Sequence, residues 1–430
     1  MLALAGLATI LFVLAAILTK RLSPLVALVA IPLVAALLLG DAGKVGKYMA
    51  DGVVTVAPMA AMFLFAILFF SILSDAGLFR PIVAGIVRLT RDHPPRVAIG
   101  TAILTSIVHL DGSGAATFLI VVPALLPVYD RLGLDRRMLA CIVAMAAGVG
   151  NMLPWGGPTL RAATSLNVPV MELFAPLLPV YAVGLVTMLG FSWWIGTRQM
   201  RRARAPGPSF GVAANDVDAE PPVRLNLRYW FNIATVLAVI GLMLATLLPP
   251  AIAFLIGAVV AITVNFPEGE AQREAIQRHA PAAIWMVAIL FAAGAFTGIL
   301  RGTGMLDAMA QGGAALLPDG SASLLPTLTG LASMPLSFFF DPDSFYFGVL
   351  PVLGGIAEHG GVPAVEVGRA AILGQMTTGF PVSPLTPATF LLVGLAGVEL
   401  ADHQRYAIGY LFALSVVMTI AALLFGVIGL

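Results

Sequence analysis

Four ionisable side chains stand out because each one interrupts an apolar stretch of the sequence. Asp111 precedes Gly112-Ser113-Gly114, Asp341 and Asp343 flank a proline, and Arg161 follows the Pro- and Gly-rich run 154–158. At the centre of a bilayer such a side chain costs roughly 2.5–3.5 kcal/mol on insertion scales, so it is usually paired or functional. Carboxylate oxygens suit protons, Na⁺, Mg²⁺ or Ca²⁺, and a guanidinium suits a carboxylate. These residue types predict a site for an anion already neutralised by a cation.

Weaker candidates surround these four side chains. His109 could titrate near neutral pH, and the amide of Asn151 needs hydrogen-bond partners. The helix starts near Pro158 and Pro387 would offer backbone N–H groups to an anion. Hydroxyls near these points come from Ser113, Thr159, Thr377, Thr378, Ser383, Thr386 and Thr389.

From this set we predict two groups of site residues. The predicted substrate-binding residues are Arg161, Ser113, Asn151, Gly157, Thr159, Ser383 and Thr386. The predicted metal or proton residues are Asp111, Asp341, Asp343 and His109.

Each candidate also has a purely structural alternative. An Asp before a helix often only caps free N–H groups, and Arg161 could form an ion pair or extend towards the membrane surface. A lone His is often a hydrogen-bonded packing residue, and a Ser or Thr in a membrane helix often bonds to the preceding turn. Asn151 could act as a structural clamp.

Composition assigns the chain to the polytopic membrane proteins. Hydrophobic residues make up 60% of it, charged residues 10%, and its mean hydropathy is +0.99, which leaves too little polar surface for a soluble domain. A net charge of +1 gives no basic face for a nucleic acid. The single Cys141 cannot form an intramolecular disulfide.

The two halves of the chain repeat the same order of features. The matched positions are Gly77 with Gly304, Pro123 with Pro351, and Pro158 with Pro387, at offsets of 227, 228 and 229. Corresponding broken hydrophobic segments in two halves are the best sequence indication of a secondary transporter's binding site.

The pattern predicts an all-α protein with three spans, a re-entrant hairpin and a broken span in each half. The predicted elements are hairpin 97–129 with the short limbs 97–110 and 115–129, broken helix 138–166, hairpin 324–357 and broken helix 369–396. Basic residues before and after the first hairpin place both of its ends on the cytoplasmic side. Residues 268–278 are expected to form a charged cytoplasmic loop.

This arrangement predicts three regions and ten full spans, with both termini outside. Residues 1–196 form the first repeat, 197–228 a cytoplasmic linker, and 229–430 the second repeat. Because three spans precede each hairpin, the repeats have opposite orientations, and the substrate is expected between them near the midplane.

At these hairpins and breaks the chain resembles the CitMHS family of bacterial metal–citrate/proton symporters, within the ion-transporter superfamily. The similar motifs are Leu110-Asp111-Gly112-Ser113-Gly114, Pro154-Trp155-Gly156-Gly157-Pro158-Thr159 with Arg161, Phe345-Tyr346-Phe347-Gly348-Val349-Leu350-Pro351-Val352-Leu353, and Ser383-Pro384-Leu385-Thr386-Pro387. The resemblance implies proton-driven uptake of citrate complexed with Mg²⁺, Ca²⁺ or a heavier divalent ion. It also implies an elevator-type fold in the bacterial inner (plasma) membrane, with no tightly bound cofactor and no enzymatic activity. Elevator carriers commonly dimerise through their scaffold, so we expect a homodimer.

Two positions depart from the expected family pattern. Ser113 stands where a second acid is expected, and His109 where a small polar side chain is expected. Losing a carboxylate could change the preferred metal, the proton stoichiometry or the substrate, so an organic acid is a firmer prediction than citrate.

Three other functions remain open at this point. A Na⁺-coupled di- or tricarboxylate carrier, or a cation/H⁺ antiporter of the same superfamily, would use a similar fold, but the Ser-Asn-Thr tips of sodium-coupled relatives are missing. An intramembrane serine hydrolase would use Ser113 with His109, since a nucleophile needs a base within reach, but the second half has no such pair at its tip. A channel would leave the two hairpins unexplained.

Overall fold

The computed structural model describes residues 1–19, 21–90, 93–203, 226–315, 318 and 320–429. Within these ranges the chain forms eighteen α-helices and no β-strand, which confirms the predicted all-α class. The helices of the first half are α1 Leu2–Leu18, α2 Pro24–Leu38, α3 Val45–Asp75, α4 Arg80–Thr90, α5 Pro94–Val108, α6 Gly114–Arg131, α7 Arg136–Gly150, α8 Gly157–Leu166 and α9 Val170–Ala203.

The second half contains the other nine described helices. They are α10 Leu227–Leu244, α11 Pro250–Asn265, α12 Gly269–Gly302, α13 Met305–Ala314, α14 Leu325–Leu336, α15 Leu350–His359, α16 Ala364–Ile372, α17 Pro387–Ala396 and α18 Leu400–Leu424. A π-helical segment, Ser344–Val349, leads directly into α15. π-Helical turns are rare and occur frequently at functional sites.

Six helices of the described ranges are long and apolar enough to cross a membrane: α3, α6, α9, α10, α12 and α18. The apolar helices α1, α2, α11 and α17 are shorter. The limb 115–129 was predicted to be short for a span, yet α6 has 18 residues, because its helix begins at Gly114 and continues through Arg131. The ten spans and the re-entrant geometry stay predictions.

The expectation of a loop at 268–278 is wrong. Helix α12 begins at Gly269 and runs for 34 residues, through the charged segment and past Pro281. The segment is charged, but its Glu, Ala, Gln and Arg residues all favour helix, and it contains no proline. Charge was therefore a poor criterion for a loop here.

Residues 204–225 of the predicted linker lie outside the described residues. At its two ends, α9 continues to Ala203 and α10 begins at Leu227, where the side chain of Asn226 accepts a hydrogen bond from the N–H of Tyr229.

One group of helices packs around α3. Helix α3 packs along α12 and α11, and α12 also contacts α2. Close approach depends on glycines spaced four residues apart on α12: a Cβ at Gly298 would lie 2.2 Å from the carbonyl oxygen of Tyr48, and one at Gly294 would lie 2.7 Å from that of Gly52. Such small residues let membrane helices approach backbone to backbone.

The remaining helices carry four irregular segments, which we name here. Tip 1 is residues 109–113, between α5 and α6, and tip 2 is residues 337–343, after α14. Break 1 is residues 151–156, between α7 and α8, and break 2 is residues 373–386, between α16 and α17. Irregular backbone in a membrane protein must be buried in protein or line a wet cavity, because lipid cannot hydrogen-bond it.

Candidate functional site

Tip 1 is linked to both breaks by two side chains, those of the fully buried His109 and of Asn151. Nε2 of His109 lies 2.9 Å from Oδ1 of Asn151 in break 1, and Nδ2 of Asn151 donates to the carbonyl oxygen of Met376 in break 2 at 2.7 Å. A Cβ at Gly150 would lie 2.6 Å from Cδ2 of His109, so only glycine admits the imidazole. Asn151 therefore acts at least as a clamp, one of its two predicted roles.

The other ring nitrogen of His109 contacts a hydroxyl that can serve as donor or acceptor. Nδ1 lies 2.8 Å from Oγ1 of Thr117, and that hydroxyl also lies 2.8 Å from the carbonyl oxygen of Ser113. Because Asn151 presents its oxygen to Nε2, that nitrogen carries a proton. Nδ1 can accept from Thr117 when the ring is neutral, or donate to Thr117 when the ring is charged and Thr117 donates to Ser113.

Asp111 and Ser113 shape the turn of tip 1. Oδ1 of Asp111 accepts a hydrogen bond from the N–H of Ser113 at 2.8 Å, and Oγ of Ser113 caps α6 by accepting from the N–H of Ala116 at 3.3 Å. Nε1 of Trp155 in break 1 donates to the carbonyl oxygen of Leu110 at 2.8 Å. The nitrogens of His109 thus face Thr117 and Asn151 rather than Ser113, which leaves the hydrolase hypothesis without its nucleophile–base pair.

Arg161 on α8 crosses to tip 2. Its Nε donates to Oδ1 of Asp343 at 2.7 Å, and both side chains are buried. Nη1 contacts the carbonyl oxygen of Gly157 at 3.3 Å and Sδ of Met376 at 3.6 Å. The structural alternative considered for Arg161, an ion pair, is therefore present, and its partner is one of the predicted cation ligands.

Asp341 forms the helix cap that was its structural alternative. Oδ1 accepts hydrogen bonds from the N–H groups of Asp343 and Ser344 at 3.0 and 3.1 Å, and Oδ2 accepts from Oγ of Ser344 at 2.5 Å. Asp341 thereby stabilises the start of the π-helical segment, while the carboxylate of Asp343 is left to face Arg161.

Break 2 is held by side chains that donate to its backbone carbonyl groups. The donors are Ser415 to Leu373, Tyr346 to Gln375, Asn151 to Met376, Thr389 to Phe380, His403 to Pro381 and Gln404 to Val382. Met376 has a left-handed backbone conformation, with φ of 57°. Strained residues of this kind cluster at functional sites and persist only where the surroundings enforce them.

Tip 2 docks directly on break 2. Oγ of Ser383 donates to the carbonyl oxygen of Ser337 at 2.5 Å and accepts from the N–H of Leu385 at 3.1 Å. Break 2 also packs closely against α14, the helix before tip 2. A Cβ at Gly374 would lie 2.2 Å from Oγ of Ser333 on α14, so only glycine permits this close packing.

The remaining predicted site residues lie in or beside the breaks. Oγ1 of Thr159 donates to the carbonyl oxygen of Met152 at 3.0 Å, and a Cβ at Gly157 would lie 2.8 Å from Cε of Met376. Thr386 is buried at the N-cap position of α17, where its side chain makes no capping bond. No three His, Cys, Asp or Glu side chains of the described residues cluster so as to hold a metal ion.

Sequence reasoning missed several side chains that connect these segments: Thr117, Trp155, Tyr346, Gln375 and Met376. Trp155 and Tyr346 had been noted only as parts of family-like motifs. For Gln375 the available signal was a polar residue beside a Gly- and Pro-rich break, because irregular backbone needs partners.

A family comparison identifies the protein class. The CitMHS sequence model, described as "Citrate transporter", matches residues 8–374. The chain belongs to the CitMHS family. A protein of Bacillus subtilis (strain 168) named "Citrate transporter" is 41% identical over 428 residues, covering 100% of both chains. The "Mg(2+)/citrate complex secondary transporter" of the same organism is 39% identical over 433 residues, again with 100% coverage of both.

Solved structures show the same fold. The YdaH transporter of Alcanivorax borkumensis superposes with a TM-score of 0.63 at 17% identity, over 90% of this chain and 89% of that one. MtrF of Neisseria gonorrhoeae, described among antimetabolite efflux pumps, superposes with a TM-score of 0.64 at 12% identity, over 90% of this chain and 85% of that one. At such low identity the likeness is one of fold.

CitMHS membership and the six long apolar helices make this protein a multi-pass bacterial membrane transporter. The relatives are transporters rather than enzymes, which settles the choice between these two classes.

Proposed function

We propose that this CitMHS protein imports citrate as a complex with a divalent metal ion, Mg²⁺ or Ca²⁺, in symport with protons. The observation that carries the proposal is the buried pair of Arg161 and Asp343, which joins the two halves of the chain. The relative named for a Mg(2+)/citrate complex supports the same substrate.

A metal–citrate complex can replace this internal ion pair without leaving a charge exposed to the protein interior. Free citrate on Arg161 would leave Asp343 unpaired beside further carboxylates, and a bare metal ion on Asp343 would leave Arg161 unpaired. An uncompensated buried charge costs about 3–5 kcal/mol. When the complex binds, a citrate carboxylate takes the guanidinium and the metal takes the carboxylate of Asp343, so both charges stay neutralised.

The metal in this proposal is cargo and receives most of its ligands from citrate and water. Mg²⁺ usually keeps several waters and binds through one or two protein carboxylates. The absence of a three-residue metal cluster among the described residues fits such a site. Asp343 is the proposed ligand of the metal, and Asp341 shapes the tip that presents it. Ser383 and Thr386 are proposed to contact the substrate from break 2.

Proton coupling is assigned to tip 1, with His109 and Asp111 as carriers. The hydroxyl of Thr117 lets the imidazole of His109 gain a proton while it keeps both hydrogen bonds. Since Asn151 links His109 to the backbone of break 2, a change of charge at tip 1 acts directly on the substrate site. The proposed contacts with the citrate anion also include Ser113, Gly157 and Thr159.

We also propose the inverted repeat, with the boundaries 1–196, 197–228 and 229–430, and an elevator mechanism. Helices α8 and α17 correspond: each has ten residues, a proline at N1 or N2, and a left-handed C-cap, Asn167 in one and Gly397 in the other. The group around α3 and α12 would be the scaffold, against which the tips and breaks move. A homodimer through this scaffold stays a prediction.

The test is uptake of radiolabelled citrate into proteoliposomes under an inward proton gradient, with Mg²⁺, Ca²⁺, Na⁺ or a chelator. We expect uptake that requires a divalent ion and stops when a protonophore dissipates the gradient. Arg161→Met liposomes, matched for protein content, give the background. Uptake that persists with chelator and depends on Na⁺ would contradict the proposal and favour the sodium-coupled carrier.

A further inference from the structure

Two buried polar atoms of break 2 have no hydrogen-bond partner among the residues that the structure describes: Oε1 of Gln375 and Oγ1 of Thr378. Both side chains are fully buried. A buried polar atom without a partner costs about 1–3 kcal/mol, so a fold keeps one only for a reason. The break is otherwise well satisfied, because side chains donate to six of its backbone carbonyl groups.

The two atoms belong to one tight turn beside the proposed substrate site. The N–H groups of Thr377 and Gly379 both donate to the carbonyl oxygen of Gly374, which closes a backbone turn that contains the residues of both atoms. Nε2 of Gln375 contacts the carbonyl oxygen of Phe340, next to Asp341, at 3.3 Å. Met376, between the two residues, contacts both Arg161 and Asn151.

The chemistry of the two atoms indicates what they bind. An amide oxygen only accepts a hydrogen bond, so Oε1 of Gln375 needs a donor, whereas a threonine hydroxyl can donate or accept. A resident Ca²⁺ takes about six to eight oxygen ligands and Mg²⁺ is usually held through carboxylates, whereas the two unpaired atoms of the turn are an uncharged amide oxygen and a hydroxyl. A ligand that carries a hydroxyl beside a carboxylate meets both requirements with two hydrogen bonds.

We propose that Gln375 and Thr378 form the specificity site for the substrate's alcohol group, so that the protein selects hydroxycarboxylates over carboxylates without a hydroxyl. Oε1 of Gln375 accepts the hydrogen of the alcohol, and Thr378 donates to a carboxylate oxygen of the same molecule. An alcohol oxygen that coordinates the metal still has its hydrogen for Gln375. The inference rests on the proposed function, since it concerns the same site and an organic-acid substrate.

The expected selectivity follows from what happens when the hydroxyl is missing. A site built to hydrogen-bond a substrate hydroxyl rejects the analogue that lacks it, because the buried acceptor then stays unpaired. Tricarballylate is citrate without its hydroxyl, and succinate is malate without its hydroxyl. These two pairs isolate the alcohol group from charge and size.

The experiment measures binding and competition on the full-length protein. Ligand-induced shifts of the melting temperature of the detergent-purified protein, with Mg²⁺, give affinities, and competition against radiolabelled citrate in proteoliposomes gives relative inhibition constants. We expect citrate to be preferred over tricarballylate by at least about tenfold. Gln375→Met, which keeps the volume and removes the acceptor, should narrow this ratio to about one by weakening citrate alone.

Matched variants separate this role from a structural one. Thr378→Val should weaken citrate and tricarballylate equally, because both offer it a carboxylate, and Thr378→Ser should restore affinity. Gln404→Met changes a residue whose side chain donates to the backbone carbonyl oxygen of Val382, outside the turn 374–379, so it should not alter the citrate to tricarballylate ratio. If Gln375→Met does not fold, the citrate to tricarballylate ratio of the wild type and the affinities of the Thr378 variants still decide whether the specificity site exists.

The outcomes distinguish this inference from the proposed function. Citrate binding with a ratio near one, or a ratio that Gln375→Met leaves unchanged, would overturn the specificity site and leave citrate transport standing. The protein could instead fail to bind citrate but prefer malate over succinate, and lose that preference in Gln375→Met. This result would contradict citrate as the substrate and support the specificity site. If none of citrate, tricarballylate, malate and succinate binds, both the specificity site and the proposed function are wrong.

Discussion

Arg161 and Asp343 lie 182 residues apart in the sequence, yet Nε of Arg161 donates to Oδ1 of Asp343 at 2.7 Å. The pair connects α8, after the first break, to the tip in the second half. Any movement that separates these two segments must either expose both charges or supply replacements. A metal–citrate complex supplies both, which links substrate binding to the contact between the halves.

Removing one member of this pair should destabilise the empty protein. Asp343→Asn leaves the buried guanidinium uncompensated, so we expect the free energy of unfolding to fall by about 3–5 kcal/mol. Thermal unfolding in detergent measures the change. The control is Asp130→Asn, because the pair of Asp130 with Arg136 is exposed and should be worth less than about 1 kcal/mol. Equal losses in both variants would contradict the expected cost of leaving the buried guanidinium of Arg161 without a partner.

Arg161→Lys tests the role of Arg161 in substrate binding. The ammonium group keeps the positive charge but cannot form two parallel hydrogen bonds with a carboxylate. We expect KM for citrate to rise by about tenfold, since one such contact is worth about 1.5–3 kcal/mol. Concentration-dependent uptake measures KM, with Arg137→Lys at an exposed pair as the control. An unaltered KM would remove Arg161 from the binding residues.

Much of the helical arrangement could be predicted from local sequence. The Pro- and Gly-rich run at 154–158 and the run with two prolines at 383–387 coincide with the starts of α8 and α17, because proline fixes φ and suits the first turn of a helix. The failure at 268–278 has the opposite cause. That segment was judged by charge, while its intrinsic helix preference and continuity with α12 decided the structure.

The contacts within the site were beyond sequence reasoning. Nothing local distinguishes Asp343 from Asp341, yet one pairs with Arg161 and the other caps the π-helical segment. The difference arises from a single turn of backbone at tip 2 and from a partner 182 residues away. The bend at Met376, a residue without the conformational freedom of glycine, is imposed by tertiary contacts.

His109→Gln tests the assignment of the proton to tip 1. The amide can reach the same two partners, Asn151 and Thr117, but it cannot carry a charge near neutral pH. Because the proposal requires His109 to take up a proton before import, wild-type uptake should rise as the external pH falls from about 8 to about 5. The variant should show a smaller rise over this range, because Asp111 is then the only proposed proton carrier left. A pH profile that matches the wild type would exclude His109 as a carrier.

Tyr346→Phe tests whether break 2 is held for specificity. The phenol donates to the buried carbonyl oxygen of Gln375 at 2.8 Å, and its loss leaves that oxygen unpaired, with a cost of about 1–3 kcal/mol in unfolding free energy. The matched control is Tyr129→Phe, because Tyr129 is also fully buried and its hydroxyl lies 2.9 Å from Oγ1 of Thr101, on α5.

Both variants should lower the melting temperature by similar amounts, since each removes one buried hydrogen bond. Only Tyr346→Phe should also reduce the preference for citrate over tricarballylate, because it loosens the turn that positions Gln375. Competition assays on the two variants, compared at equal protein content, separate the effects. If Tyr129→Phe reduces the preference equally, the loss reflects general destabilisation, and the carbonyl of Gln375 has no particular role in selecting the substrate.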